Sequence, residues 1–408
     1  TYKAPNFQSG TPPFMNLADG GGIKMDSAGK PVVAFTESMR FALSIPKEGK
    51  MPANGWPIVL YAHGTGGSYR TFATNYAAEK LAAIKDSTGH DLANIAVVGI
   101  DQNLHGPRAG GIDSPEITFF NFQNPAASVH NVVQAGVDNY SLLRMIKGFT
   151  ATSVPWSTKA TKKGSVTFTP GIKFDPTKIY FMGHSQGGLT GPVALAFEPE
   201  IKAAVLSGAG GGAMYSLLEK TAPTPVRTVL ELALAEPADQ YHPFLTLLQG
   251  LLEPADPNNY ARLLIKDPPQ GRAPLHLLLT EGLVDHYTPT MTTEALAVAA
   301  GVPQVGTVLQ KAAAMELAGL KPEAGPVSGN ITVGGKGVTG GLVQFKAAPA
   351  KPAKSCTKDA DCSSGDYCGS GQCLNDGHFV VFQVSAARDM VSRFFGTMAR
   401  DGTPQILP

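Results

Sequence analysis

The sequence predicts an α/β protein with a mostly parallel sheet and helices on both faces. Three observations carry this reading: short, wholly apolar runs of strand length, helical periodicities between several of them, and turn or polar residues where the runs end. Residues 40–45 alternate with period two and read as an early strand. The run 58–62 ends at His63-Gly64-Thr65-Gly66-Gly67, and the run 95–100 ends at Asp101. Val129, Val132, Val133, Val137 and Tyr140 place one apolar face on a helix over 128–147. The runs 178–182, 203–206 and 275–279 supply three more buried strands, and 378–382 resumes the pattern. A closing helix gathers Val391, Phe394, Phe395 and Met398 on one face.

Two stretches interrupt the alternation. Residues 208–274 hold two amphipathic helices, one with Val226, Val229, Leu230, Ala233 and Leu234 on a face, the other with Phe244, Leu247, Leu248 and Leu251. They read as a helical lid inserted between two strands. Residues 287–377 hold a Gly-rich hairpin-like segment, an Ala/Pro/Lys linker and a cysteine cluster. The domain reading is an N-terminal arm laid on the surface (1–30), an α/β core (31–207 and 275–408), a lid (208–274) and a cysteine-rich insert (355–375).

Composition narrows the function classes. The chain has 408 residues, of which 43% are hydrophobic and only 16% charged, so it can bury a large core. Lys+Arg is 33 and Asp+Glu is 32, too even a balance for a phosphate-binding face, and nucleic acid is not expected as a partner. No apolar run is long enough to span a bilayer. The four cysteines, Cys356, Cys362, Cys368 and Cys373, lie within one short segment and read as two disulfides, hence an exported protein. Thr1 in place of an initiator methionine is read as a mature chain. Zinc is the alternative, but no Cys-x-x-Cys pair is present, and no metal is expected. Asp359, Asp361 and Asp366 lack the glycine and the glutamate of a calcium loop. No dinucleotide or phosphate-loop pattern follows the first strands, so no cofactor is expected.

The chemistry-bearing residues follow the apolar runs. Gly183-His184-Ser185-Gln186-Gly187 sits between a strand and a helical pattern, the setting a nucleophilic serine needs at a sharp turn. Glycines two residues to either side leave room for that turn. Acyl transfer needs backbone donors for a developing oxyanion. The Gln186 amide and the Thr65 amide of the upstream Gly-rich turn are the candidates. Asp285 follows the strand 275–279 and His378 precedes the last helix, giving the chain order Ser185, Asp285, His378. His378 is read as the base and Asp285 as its orienting acid. His286 is the second choice of base, and Glu281 the second choice of acid. Asp101 is assigned to ordering the loop 101–106, and His184 is expected to point away from substrate. Phe119, Phe120, Phe122, Phe244 and Leu248 are candidate contacts for an acyl or aromatic group.

On these residues the chain resembles the α/β-hydrolases, specifically bacterial secreted lipases and esterases with a Gly-His-Ser-Gln-Gly turn. The resemblance covers roughly 40–300 and 378–400. It implies an eight-stranded, mostly parallel sheet, a Ser-His-Asp triad and carboxylic-ester hydrolysis through an acyl-enzyme, with a small-molecule or polymeric ester as substrate. The cysteine spacing is similar to that of small modules in exported proteins. Four cysteines allow three pairings and sequence alone does not choose; likeness to interleaved modules favours Cys356–Cys368 with Cys362–Cys373. A peptidase or amidase uses the same triad. A different class is a non-catalytic protein that grips a surface or glycan on a hydrolase scaffold.

Overall fold

A strand that is apolar at every position must be covered on both faces, and the chain supplies helices for both. The computed structural model describes residues 1–47, 49–157 and 163–408. Its central sheet has seven strands: β1 (Phe41–Ser44), β2 (Trp56–Ala62), β3 (Ala96–Ile100), β4 (Phe174–His184), β5 (Ile201–Ser207), β6 (His276–Gly282) and β7 (Gly340–Phe345). The order is β7-β6-β5-β4-β2-β3-β1, and all pairs are parallel except β1 with β3. The resemblance implied eight strands; seven lie in this sheet among the described residues.

The pleat sorts β2 between two layers. Ile58, Leu60 and Ala62 face a cluster containing Leu142, Leu143, Leu195, Ala261, Leu264 and Leu296. These come from α2 (Pro125–Lys147), α3 (Gln186–Leu195), α7 (Asn258–Leu264) and α8 (Thr290–Ala300). Val59 and Tyr61 face the opposite cluster, built from α1 (Ala77–Ala82) and α9 (Ser385–Asp401). On α9 the residues Val391, Phe394, Phe395 and Met398 are all buried, on the face the sequence marks out.

Helix α2 departs from the reading of a simple apolar stripe. Val129 and Val132 are buried, but so are Asn131, Gln134 and Asp138. Asn131 and Gln134 hold the N-terminal arm, and Asp138 holds Arg108. Asn131 Oδ1 accepts from Gln8 Nε2 at 2.8 Å, Gln134 Oε1 accepts from the Phe7 amide at 2.8 Å, and Asp138 pairs with the buried Arg108 at 2.7 Å. Residues 1–30 are therefore more than an arm laid on the surface. Tyr2–Asn6 pairs with Phe35–Met39, and Phe14 is wholly buried.

The insertion after β5 carries α4 (Ala213–Glu219), α5 (Val226–Leu234) and α6 (Pro243–Leu252). Not all of 208–274, the expected lid, stands apart from the core, because Ala261 and Leu264 of α7 belong to it. The apolar face assigned to α6 is also rotated. Leu245 and Leu248 pack against Leu217, Leu218 and Ala238, while Phe244, Leu247 and Leu251 are exposed. Asp256 ties this cap down. Its carboxylate accepts from the Gly212, Ala213 and Asn258 amides and from Gln249 Nε2, at 2.8–3.2 Å.

The cysteine insert forms two disulfides, Cys356–Cys368 and Cys362–Cys373, around a hairpin of Asp366–Gly369 and Gln372–Asn375. No helix among the described residues is long and apolar enough to cross a membrane.

Candidate active site

Parallel strands deliver their following loops to one edge of the sheet, where open α/β sheets build their sites. Strand β4 ends at His184, whose register partner on β5 is Ser207. Ser185 then turns sharply into α3 with φ 55° and ψ −121°, a left-handed conformation strained for a residue with a Cβ. Its amide donates to the Ser207 carbonyl at 2.9 Å. The flanking glycines are required by contact: a Cβ on Gly183 would strike the Gly187 carbonyl, and one on Gly187 would strike the Ala62 carbonyl.

The turn after β2 lies against this elbow. A Cβ built on Gly64 would sit 3.0 Å from the Ser185 Cβ. Thr65 Oγ1 donates to Gln186 Oε1 at 3.0 Å, so the residues carrying the two candidate oxyanion donors are joined through their side chains. Among the described residues, neither the Thr65 nor the Gln186 amide donates to a backbone or side-chain acceptor. Gln186 opens α3, where an amide has no helical carbonyl to reach.

Two histidines that the sequence reading passed over hold this turn. His63 Nε2 accepts from the Gln102 amide at 3.1 Å, and its Nδ1 bonds the Gly64 carbonyl at 2.8 Å. His105 Nε2 accepts from the Gly66 amide at 3.1 Å while Nδ1 bonds the Asn103 carbonyl at 2.9 Å. Their rings meet edge to face at 4.8 Å. Burial pushes His63 down to about 3 and His105 down as well, which favours the neutral rings that can accept these bonds. The signal lay in the two segments after β2 and β3, each of which carries a histidine next to a glycine. Asp101 bonds Arg40 at 2.7 Å and the Tyr69 amide at 3.1 Å, so it orders the same rim.

Asp285 and His378 come together from loops far apart in sequence. Asp285 Oδ2 lies 2.8 Å from His378 Nδ1, and both side chains are buried. The other Asp285 oxygen accepts from the Tyr287 and Thr288 amides at 2.9 and 2.7 Å. His378 borders the elbow. A Cβ on Gly208, next to Ser207, would sit 2.8 Å from its Nδ1. Its ring stacks on Tyr287 (5.0 Å, 23°) and contacts His184 at 4.8 Å. His184 is buried between His378, Phe379 and Phe382, and burial holds it well below its usual range.

The alternatives fall elsewhere. Glu281 Oε1 accepts from Gln344 Nε2 at 2.8 Å, and among the described residues Glu281 pairs with no histidine. His286 Nδ1 lies 2.7 Å from Asp376 Oδ2, and its ring meets Tyr367 of the cysteine insert at 5.4 Å. Among the candidate substrate contacts, Phe119 is wholly buried and packs edge to face on His105 and Phe120. Leu248 is buried inside the cap. Phe119 has no surface left to offer a ligand and Leu248 is 8% exposed, so both are core residues, which corrects the sequence reading. Phe120 is half-buried, while Phe122 and Phe244 are exposed.

No protein-family model matches the chain, and no curated protein matches it. Solved structures do. An acetyl xylan esterase from Paenibacillus sp. R4 aligns at 15% identity and TM-score 0.40, over 79% of this chain and 74% of that one. Acetyl xylan esterase 1 from Thermoanaerobacterium sp. JW/SL YS485 aligns at 13% and 0.39, over 77% and 75%. An acylaminoacyl peptidase of Pyrococcus horikoshii aligns at 12% and 0.38; this chain spans 34% of its length.

Proposed function

We propose that this chain is an exported serine hydrolase that cleaves carboxylic esters through an acyl-enzyme. One juxtaposition carries the reading: a serine on a strained elbow beside the undirected Gln186 amide, bordered on one side by the turn that carries the undirected Thr65 amide and on the other by a buried His–Asp pair. In this reading Ser185 Oγ attacks the ester carbonyl carbon while His378 Nε2 takes its proton. The Thr65 and Gln186 amides receive the negative charge that develops on the carbonyl oxygen. Asp285 fixes the His378 tautomer and stabilises the imidazolium. His378 then returns the proton to the departing alcohol. Water, deprotonated by the same histidine, attacks the acyl-serine, and the acid leaves as Ser185 regains its proton.

The half-buried Phe120 and the exposed Phe122 and Phe244 are the candidate contacts that stay accessible for an apolar substrate group. Two disulfides support export. The test is turnover of a p-nitrophenyl ester chain-length series beside an amide analogue, with fluorophosphonate labelling mapped by mass spectrometry. Label on Ser185 and turnover of esters over amides support the reading. Ser185→Ala should lower turnover by on the order of 10⁶. Full activity in that variant, or label on another residue, would refute the nucleophile. Faster amide cleavage would favour a peptidase, and no turnover at all would favour a binding protein.

A further inference from the structure

The acid loop is gripped by three elements: the base loop, the cap and the cysteine insert. Toward the base, Asp285 meets His378. A second pair runs the opposite way across the same two loops: His286, next to Asp285, meets Asp376, two residues before His378. Asp376 Oδ2 takes the His286 Nδ1 bond at 2.7 Å. Its Oδ1 accepts from the His378 amide at 2.9 Å and the His286 amide at 3.3 Å. The backbones touch as well, since the Gly377 amide donates to the Val284 carbonyl at 3.1 Å and a Cβ on Gly282 would strike the Gly377 carbonyl. From the cap, the Thr221 and Ala222 amides both donate to the His286 carbonyl at 3.0 Å, and Lys220 Nζ donates to the Tyr287 carbonyl at 2.9 Å. From the cysteine insert, Tyr367 closes on the His286 ring.

We propose that His286 and Asp376 form a positioning pair that fixes the distance and angle between the acid loop and the base loop, without touching substrate. The proposal rests on the reading of Ser185, Asp285 and His378 as the reacting groups. Its physical basis is the geometry. The Asp376 side chain is 3% exposed and its oxygens spend their bonds on the amide of the base and on both the ring and the amide of His286. Removing it frees the His378 amide and lets the base loop move relative to Asp285. Misplacing a reacting group by about 1 Å costs as much as 10²-fold in rate. His286 resembles His378 in being paired with a carboxylate. However, its ring and carbonyl contacts go to Tyr367, Asp376 and the cap, whereas those of His378 include the strand ends that flank Ser185.

The experiment measures kcat and KM for ester hydrolysis, and the rate of fluorophosphonate labelling at Ser185, in wild type, His286→Ala, His286→Gln, Asp376→Asn and Asp376→Ala. His286→Ala should lower kcat by about 10-fold and Asp376→Ala by about 10²-fold, with KM within about two-fold of wild type. Labelling should slow in step. His286→Gln keeps an N–H that can reach Asp376 and should recover most of the loss. Asp376→Asn keeps an acceptor for the His378 amide and tests the side-chain arm alone if Asp376→Ala does not fold. Wild-type kcat in both His286→Ala and Asp376→Asn would overturn the proposal. So would a rise in KM at constant kcat, or a loss in His286→Ala as deep as that of His378→Ala, which would make His286 the base. If wild type neither turns over esters nor labels at Ser185, the reading of the triad fails instead.

Discussion

Glu281 gives a sharp quantitative test, because it is the other carboxyl that sequence offers as the acid. Burial at the end of β6 raises it from an ordinary 4.5 to about 8, with the Gln344 bond pulling the other way and Glu294 and Asp285 adding to the rise. Its second oxygen, Oε2, is buried and, among the described residues, has no hydrogen-bond partner. An acid raised on folding binds its proton more tightly in the folded chain than in the unfolded one. Its contribution to stability is therefore whole below pH 4.5, shrinks as pH rises, and is gone above about 8. Between pH 5 and pH 8 the folded state should lose about 3–4 kcal/mol from this group alone. Glu281→Gln cannot titrate. Its amide adds one more unpartnered N–H where Oε2 lies, which costs about 1 kcal/mol at every pH. The variant should thus be slightly less stable than wild type near pH 5 and more stable by about 2–3 kcal/mol at pH 8. Urea unfolding followed by fluorescence at both pH values reads this difference. An unchanged difference between pH 5 and pH 8 would refute the reasoning. Ester turnover supplies an independent check: Glu281→Gln should stay active, whereas Asp285→Asn should lose on the order of 10⁴-fold. Equal losses would hand the acid's role to Glu281.

Three further outcomes are expected. Gly187→Ala drives a methyl into the Ala62 carbonyl, so it should lower kcat/KM by more than about 10² through displacement of the elbow; wild-type kinetics would contradict that contact. Asp256→Ala removes acceptors for the Gly212, Ala213 and Asn258 amides and for Gln249. Amide exchange across 213–252 should then quicken, with a local loss of about 1–3 kcal/mol, and uniform exchange across the whole chain would show that the cap is not an independent unit. Reduction of both disulfides, verified by thiol mass spectrometry, should lower ester turnover while far-ultraviolet circular dichroism holds steady, because Cys373 lies three residues before Asp376. Unchanged turnover after complete reduction would remove the insert from the mechanism.

Much of the architecture is legible in the sequence because buried parallel strands leave uninterrupted apolar runs, and 58–62, 178–182 and 203–206 each lie within a strand. The elbow is legible for a steric reason: Gly183 and Gly187 are glycines because neighbouring carbonyls leave no room for a Cβ. What sequence could not give is polar burial. Asn131, Gln134 and Asp138 look like the wet side of α2, yet the first two bond the N-terminal arm and Asp138 bonds the buried Arg108, contacts set by tertiary structure. The face of α6 differs from its helical spacing for a related cause: Phe244, Leu247 and Leu251 satisfy that spacing, but Leu217, Leu218 and Ala238 decide which side is covered. The support that His63 and His105 give the oxyanion turn depends on which ring nitrogen accepts from an amide, and a histidine beside a glycine does not specify that.

The crossed arrangement of the two loops also bears on how this protein can be re-engineered. Each loop contributes one carboxylate and one imidazole, and each imidazole is answered by the carboxylate of the other loop. Grafting either loop alone into a different scaffold would carry Asp285 without its histidine or Asp376 without its own. Leaving a buried polar group without its hydrogen-bond partner costs about 1–3 kcal/mol, so a single-loop transplant would lose stability before any question of activity arose. The transplantable unit is the two loops taken together, with the disulfide-bonded hairpin that joins onto the second.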